Sequence, residues 1–249
     1  MDRREALIWI PALISSVAPL PAAAQSLRGL FDAGKDALGA LTISDAQVKA
    51  YASQMAAKMD KEAPLAPPGN PYANRLTTLT KGMEEDNGLK LNFAVYLVKD
   101  VNAFAMADGT IRFFAGLMDM MTDDEIRYVV GHEMGHVASG HTKARMQTAL
   151  ATSATMKAAA SSGTVAGKLA DGDLGELFGK VVKAQHSQSN ERQADDYALQ
   201  FMTRHSYDRS ACVSALEKID KLSGGGGGGW TSTHPAPRER AERLKMQIG

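Results

Sequence analysis

The chain has 249 residues, 44% of them hydrophobic, and carries 28 Lys and Arg against 28 Asp and Glu. This composition is typical of a globular protein with one large domain or two small ones, and the zero net charge gives no support for a nucleic-acid partner or an anionic membrane surface. The single cysteine, Cys212, excludes an intramolecular disulfide and a cysteine-rich zinc site.

Residues 1–24 have the organisation of a secretory signal peptide. Arg3 and Arg4 precede an uncharged run that ends in three alanines, the small-residue pattern of a cleavage site. We expect export to the periplasm by the Sec or the twin-arginine route, with cleavage after Ala24. A lipoprotein is excluded because no cysteine lies near that site. The alternative is an uncleaved N-terminal membrane anchor, against which the three prolines of the run argue.

Residues 25–43 form a weakly amphipathic lead-in, and the folded domain is expected at residues 44–249. Ser44 is a helix N-cap, and the breaker-rich residues 63–71 separate this helix from a second one. The spacing of the hydrophobic residues then changes from helical to strand-like. Polar and apolar residues alternate over residues 91–100, and residues 102–118 indicate two short strands around a turn. Together these segments predict a small antiparallel sheet.

The next segment, residues 122–138, predicts a helix. Thr122 and Glu125 form a capping box, and apolar residues follow at helical spacing. Gly131 and Gly135 each cost about 1 kcal/mol relative to alanine inside a helix. We therefore expect another backbone to approach this helix closely at the two glycines.

This helix carries the motif HEMGH, in which His132 and His136 are four residues apart. Residues at this spacing share one helix face, so both imidazoles can bind one zinc ion. Glu133 lies about 100° around the helix, where a carboxylate can act as a general base without being a ligand. The spacing alone leaves open a chance match on a solvated helix.

Residues 143–181 are rich in Ala, Ser, Gly and Met. This composition suits two structures equally well: broken helices with a mobile loop over a cleft, or a low-complexity segment that only fills space in the packing. Helices are then predicted at about residues 187–205 and 209–222. A run of six glycines, residues 224–229, is a flexible connector to a short basic helix at the end of the chain.

A zinc ion that activates water usually has three protein ligands. His141 fits the extended motif HExxHxxGxxH badly, because Ser139 and Thr142 stand where Gly and His are needed. Glu191 is the better candidate, and Asp195, one helical turn later, can accept a hydrogen bond from a ligand histidine.

Four blocks occur in this order along the chain: NAFAMADGTIRFFAGLM, DEIRYVVGHEMGHVASGH, ERQADDYAL and STHPAPRERAERL. With them the chain resembles the M48 family of zinc metallopeptidases, of the small exported type found in Gram-negative bacteria. The resemblance covers about residues 44–245 and implies an α+β, mainly helical, zincin-like metalloprotease domain, with the small sheet beside the HExxH helix.

The resemblance implies one zinc ion held by His132, His136 and Glu191, with Glu133 as the general base. Asp195 is then the hydrogen-bonding partner of a ligand, His132 in particular.

Outside the ligand set, the resemblance implies that His234 and Arg240 stabilise the oxyanion. An edge strand formed by Asn102, Ala103, Phe104 and the residues up to Phe114 is expected to bind the substrate as an added strand.

The expected function is therefore zinc-dependent endopeptidase activity in the bacterial cell envelope, on unfolded or misfolded proteins and with envelope quality-control partners. One alternative is a zinc-containing periplasmic chaperone or binding protein without peptidase activity. Another is a zinc hydrolase that acts on an ester or a cell-wall amide.

Overall fold

The computed structural model describes residues 43–86, 88–153, 171–223 and 229–249. The predicted signal peptide, the lead-in up to residue 42, the centre of the predicted broken-helix segment and most of the glycine run lie outside these residues. Within the described ranges, no helix combines the length and the apolar character that crossing a bilayer requires.

The described helices are α1 (Asp45–Glu62), α2 (Pro71–Leu79), α3 (Ala115–Met120), α4 (Asp123–Ala138), α5 (His141–Thr152), α6 (Asp171–Lys183), α7 (Gln188–Arg204), α8 (Ser210–Ser223), α9 (Trp230–Thr233) and α10 (Pro237–Ile248). The described strands are β1 (Glu85–Asp86), β2 (Leu89–Lys90), β3 (Asn92–Tyr96), β4 (Ala103–Ala105) and β5 (Thr110–Phe114). The chain is thus a mainly helical α+β protein, as predicted.

Helix starts are the best predicted feature. Ser44 caps α1 with a complete capping box. At the start of α4, the Thr122 side chain accepts a hydrogen bond from the backbone N–H of Glu125, and the Glu125 carboxylate accepts one from the backbone N–H of Thr122. Ser187 caps α7 by accepting from the backbone N–H of Asn190. Each cap satisfies backbone donors that the first turn of a helix leaves unpaired.

The main sheet has the order β3-β5-β4. β4 and β5 form the predicted antiparallel hairpin, whereas β3 pairs parallel to β5, so the sheet is mixed rather than wholly antiparallel. Most residues of β5 are buried, which suits a central strand that has a partner on each side. A second, two-stranded antiparallel sheet of β1 and β2 was not predicted.

The close approach expected at the two glycines of α4 is confirmed. A Cβ atom added at Gly135 would lie 2.9 Å from the Cα atom of Ala194, and one at Gly131 would lie 3.1 Å from the Cα atom of Ala198. Both contacts are to the backbone of α7. The glycines therefore allow α7 to lie directly against α4, so that the two elements predicted to carry the metal ligands are neighbours.

Candidate metal centre

Two histidines on one face of α4 form the base of the site. His132 and His136 are fully buried, and their Nε2 atoms lie 3.1 Å apart. Their rings meet edge to face, with centroids 4.7 Å apart. The i, i+4 spacing therefore brings two imidazole nitrogens to one point, as predicted.

Glu191, on the adjacent face of α7, completes a three-donor set. Its Oε2 atom lies 3.5 Å from His132 Nε2, and its Oε1 atom lies 3.3 Å from His136 Nε2. Two ligands at about 2.1 Å from one tetrahedral zinc ion are about 3.4 Å apart, which follows from the bond length and the tetrahedral angle. The donor set and its spacing thus fit a zinc ion.

His234 lies inside the same cluster. Its Nδ1 atom is 3.3 Å from His132 Nε2 and 3.1 Å from Glu191 Oε1. One donor atom from each of the four residues, His136 included, lies within 4.8 Å of the others, and all four residues are buried. Sequence reasoning gave His234 a role in oxyanion stabilisation; in this arrangement it stands where a fourth ligand would.

Hydrogen bonds on the far side of the two α4 histidines orient their rings. His132 Nδ1 lies 3.0 Å from Asp195 Oδ1, the contact predicted for that carboxylate. His136 Nδ1 lies 3.1 Å from His141 Nδ1, and His141 Nε2 lies 2.9 Å from Gln193 Oε1. A proton held on Nδ1 leaves the Nε2 lone pair free for a metal, which is the usual use of such contacts. His141 is thus placed behind a ligand histidine and not in the ligand set.

Arg240 contacts the two carboxylates of α7. Its Nε and Nη2 atoms donate to Asp195 at 2.9 Å and 2.6 Å, and its Nη1 atom forms an ion pair with Glu191 Oε2 at 2.5 Å. The guanidinium is nearly fully buried. In the structure the donors of Arg240 face these two carboxylates, and its predicted role at the oxyanion stays a prediction.

These contacts control the charges of the site. Burial acts to raise the pKa of Glu191 and Asp195, but the imidazole of His234 beside Glu191 and the guanidinium of Arg240 beside both carboxylates hold each pKa below its ordinary range. Burial also holds the pKa of His136 well below its usual value. The site therefore presents two ionised carboxylates and a neutral imidazole at His136. Burial acts to lower the pKa of His132 too, but its hydrogen bonds with Asp195 and Glu191 raise that pKa to about 9, so a metal ion must displace a proton from His132.

Glu133 lies beside the ligand cluster and is 1% exposed. The indole Nε1–H of Trp230 donates to Glu133 Oε1 at 3.4 Å, and His234 Nε2 lies 3.6 Å from the same oxygen. The Trp230 ring also stacks on the His234 ring, with centroids 4.3 Å apart and an interplanar angle of 19°. Trp230 therefore positions both residues.

Sequence reasoning missed Trp230 and also His186. His186 stacks on His136 at 3.8 Å and on His234 at 5.1 Å, and its backbone N–H donates to the Thr233 carbonyl. A lone histidine before a helix cap and a tryptophan after a glycine run carry no periodic or spacing signal that points to a metal site.

The predicted substrate strand lies at the edge of the main sheet. By the alternation of an antiparallel ladder, the backbone groups of Ala103 and Ala105 point away from β5. Asn102 and Phe104 line a narrow pocket together with His234. The Phe178 ring of α6 packs against Phe104 at 6.1 Å. The strand therefore runs beside the ligand cluster, and α6 lies over it.

Comparison with known proteins gives consistent matches. The model of peptidase family M48 matches residues 73–248. The chain is 44% identical over 222 residues to metalloprotease LoiP of Escherichia coli strain K12, a match that covers 89% of this chain and 88% of LoiP. It is 35% identical over 241 residues to metalloprotease YcaL of the same strain, covering 94% of this chain and 95% of YcaL. Protease HtpX of Chromohalobacter salexigens is 34% identical over 99 residues, 37% of this chain and 33% of HtpX.

Proposed function

Since the chain belongs to peptidase family M48 and is a metalloendopeptidase, we propose that it uses zinc to hydrolyse unfolded or misfolded proteins of the bacterial cell envelope. One observation carries the proposal. Two imidazole nitrogens and a carboxylate oxygen converge in a buried site at tetrahedral spacing, and a further carboxylate, Glu133, lies beside them.

In this proposal His132, His136 and Glu191 hold the zinc ion. When bound, zinc polarises the scissile carbonyl and lowers the pKa of water towards about 7. Glu133 takes a proton from the attacking water and passes it to the leaving amine. The Trp230 indole fixes the Glu133 carboxylate for both transfers.

His234 and Arg240 take different parts. His234 stabilises the oxyanion, and for this its ring must leave the position it shares with the three ligands, because water and substrate need that space. Arg240 positions the ligands, since its contacts with Asp195 and Glu191 hold both carboxylates at fixed angles to the histidines.

An extended peptide adds to the edge of β4 that faces away from β5, at Asn102, Ala103 and Phe104. Because β4 is buried beneath α6, this helix must move to admit the peptide, whose backbone then runs past Glu133. Backbone pairing requires an extended segment, which folded proteins rarely expose. The substrates are therefore unfolded or misfolded chains, and residues 1–24 bring the enzyme to the periplasm, where envelope quality-control proteins are its partners.

The test is hydrolysis of unfolded casein by the purified full-length chain, before and after removal of metal with a chelator. The proposal expects cleavage that disappears with the metal and returns when one equivalent of zinc is added. A chain that holds zinc and prevents casein aggregation, yet cleaves nothing, would support the chaperone alternative instead. Cleavage of esters or cell-wall amides but not of casein would support the other hydrolase class.

A further inference from the structure

One arginine near the site has no acidic partner among the side chains that the structure describes. Arg145, on α5, donates from Nη1 to the Ala184 carbonyl at 2.9 Å, while its Nε atom is buried without a hydrogen-bond partner. The other arginines close to the sheet and the metal site are paired, Arg112 with Asp60 and Arg240 with Asp195. Among the side chains that the structure describes, no carboxylate forms an ion pair with Arg145.

The unpaired arginine faces the substrate strand. Arg145 lines the same narrow pocket as Phe104 and Met106 on one side, Val181 of α6 on another, and His234. The pocket therefore combines apolar side chains with the polar side chains of Asn102 and Thr233 and the guanidinium of Arg145. It adjoins both β4, at the edge that faces away from β5, and the ligand cluster.

We propose that Arg145 binds a carboxylate of the peptide substrate, which makes it a specificity-determining residue. The inference rests on the proposed peptidase function. The carboxylate belongs either to an acidic side chain near the cleaved bond or to the C-terminus of the substrate. Both present the same two oxygens to the guanidinium fork, whose geometry matches a planar carboxylate.

A buried, poorly solvated cation is stabilised by a nearby anion. Burial lowers the pKa of Arg145, a sign that its charge is poorly solvated, and only the more distant charges of Glu133 and Glu191 offset this. A zinc ion on Glu191 neutralises part of that offset. The metal-loaded site therefore leaves Arg145 still more in need of an anionic partner.

The pocket itself has about 10 Å³ of free space, room for one water molecule. A carboxylate displaces this water and moves the wall formed by Val181 outward. Nη1 of Arg145 donates a hydrogen bond to the carbonyl of Ala184, the residue that follows α6. The guanidinium that binds the substrate carboxylate would therefore also contact the end of the helix that must move. The methylene groups of a glutamate side chain would then lie between Phe104 and Val181.

The test measures binding separately from hydrolysis. Peptides of one cleavable sequence carry Glu, Gln or Ala in turn at each position beside the cleaved bond, as free acids and as C-terminal amides. Fluorescence anisotropy gives their affinity for the zinc-loaded, full-length Glu133→Gln variant. We expect Glu at one position to bind about tenfold more tightly than Gln, the usual effect of a hydrogen bond to a charged group. If the carboxylate is the C-terminal one, the free acid should instead bind about tenfold more tightly than the C-terminal amide.

Arg145→Gln, made in the same background, should abolish the preference for the carboxylate and leave the affinity for the Gln peptide unchanged. Arg145→Lys keeps the charge but not the guanidinium fork, so it should retain part of the preference for the carboxylate. It replaces Arg145→Gln in the test if that variant does not fold. Arg209→Gln, at an exposed arginine, is the matched control and should keep the full preference.

Equal affinity for the Glu and Gln peptides and for acids and amides would overturn the inference, as would an unchanged preference in Arg145→Gln. Failure of the proposed function has a different signature, because the Glu133-containing chain would then cleave none of the peptides whatever their affinities.

Discussion

Substituting Gly135 by alanine should weaken zinc binding by forcing apart the two helices that carry the ligands. The added Cβ atom would lie 2.9 Å from the Cα atom, 3.0 Å from the carbonyl oxygen of Ala194 and 3.0 Å from Cβ of Tyr197. Two of these atoms belong to the backbone of α7, which cannot rotate away as a long side chain can. The helix must therefore shift by several tenths of an ångström.

The magnitude follows from two opposing terms. Overpacking of this kind costs about 1–3 kcal/mol, while replacing glycine by alanine in a helix contributes about 1 kcal/mol of stability. The net loss of unfolding free energy is therefore only about 0–2 kcal/mol. Glu191 lies one turn before Ala194 on the shifted helix, so zinc affinity responds more strongly, and we expect a loss of about 10- to 100-fold, as for changes in residues that position ligands.

The assay is competition for zinc with a coloured chelator, combined with urea unfolding of the metal-free chain. Gly179→Ala is the matched control, because Gly179 also lies within a helix but a Cβ atom there meets nothing within 4 Å. It should raise stability by about 0.5–1 kcal/mol and leave zinc affinity unchanged. A Gly135→Ala variant with wild-type zinc affinity and the stability gain of the control would refute the reasoning.

Three further outcomes follow from the site and the sheet. Trp230→Phe keeps the stacked ring but removes the hydrogen bond to Glu133, so kcat should fall about fivefold while the zinc content stays unchanged. Peptide kinetics and metal analysis measure the two quantities. An unchanged kcat would mean that the indole does not position Glu133. His234→Phe should lower kcat about 10²- to 10³-fold with little change in KM if the ring acts on the oxyanion, and an unaltered kcat in steady-state kinetics would exclude that role. Burial acts to raise the pKa of Asp60, but its hydrogen bonds with Arg112 and a tyrosine lower this pKa overall. The Asp60–Arg112 pair therefore stabilises the fold at pH values above the unfolded pKa of about 3.9. This stability is lost as pH falls through the lower pKa of the folded state. Asp60→Asn should therefore cost about 2 kcal/mol at pH 7 in urea unfolding, a cost that shrinks below about pH 4, and a cost independent of pH would contradict the assignment.

The elements of the site that lie on single helices could be predicted from the sequence. The capping box at Thr122 and the apolar spacing fix α4, and helix geometry alone then brings His132 and His136 to one point. Glycines at 131 and 135 correctly indicated a close neighbour. These inferences succeed because each depends on residues within a few turns of one another.

What the sequence could not provide is the arrangement of segments distant along the chain. His234 is 102 residues from His132, and nothing in the motif STHP distinguishes a ring inside the ligand cluster from one facing the oxyanion. The contacts of Arg240 could not be predicted for the same reason, since the two buried carboxylates that attract its guanidinium become its neighbours only in the folded chain. The sequence pattern likewise identified β3 and β5 as strands but not their parallel pairing.

Helix α6 is an instructive intermediate case. Its buried residues Leu174, Leu177 and Val181 recur at spacings of three and four, a helical signal that the surrounding Ala and Gly residues obscured. Its position over β4 depends on ring contacts such as that between Phe178 and Phe104, which no local pattern specifies.

The most direct test of the central claim measures zinc content and casein hydrolysis on the same preparation of the Glu133→Gln variant. Glutamine keeps the shape of the side chain but cannot accept the proton, so one zinc per chain should remain while hydrolysis falls by about 10²- to 10⁴-fold. Hydrolysis at the wild-type rate by the zinc-loaded variant would contradict the account, because another group would then have to act as the base.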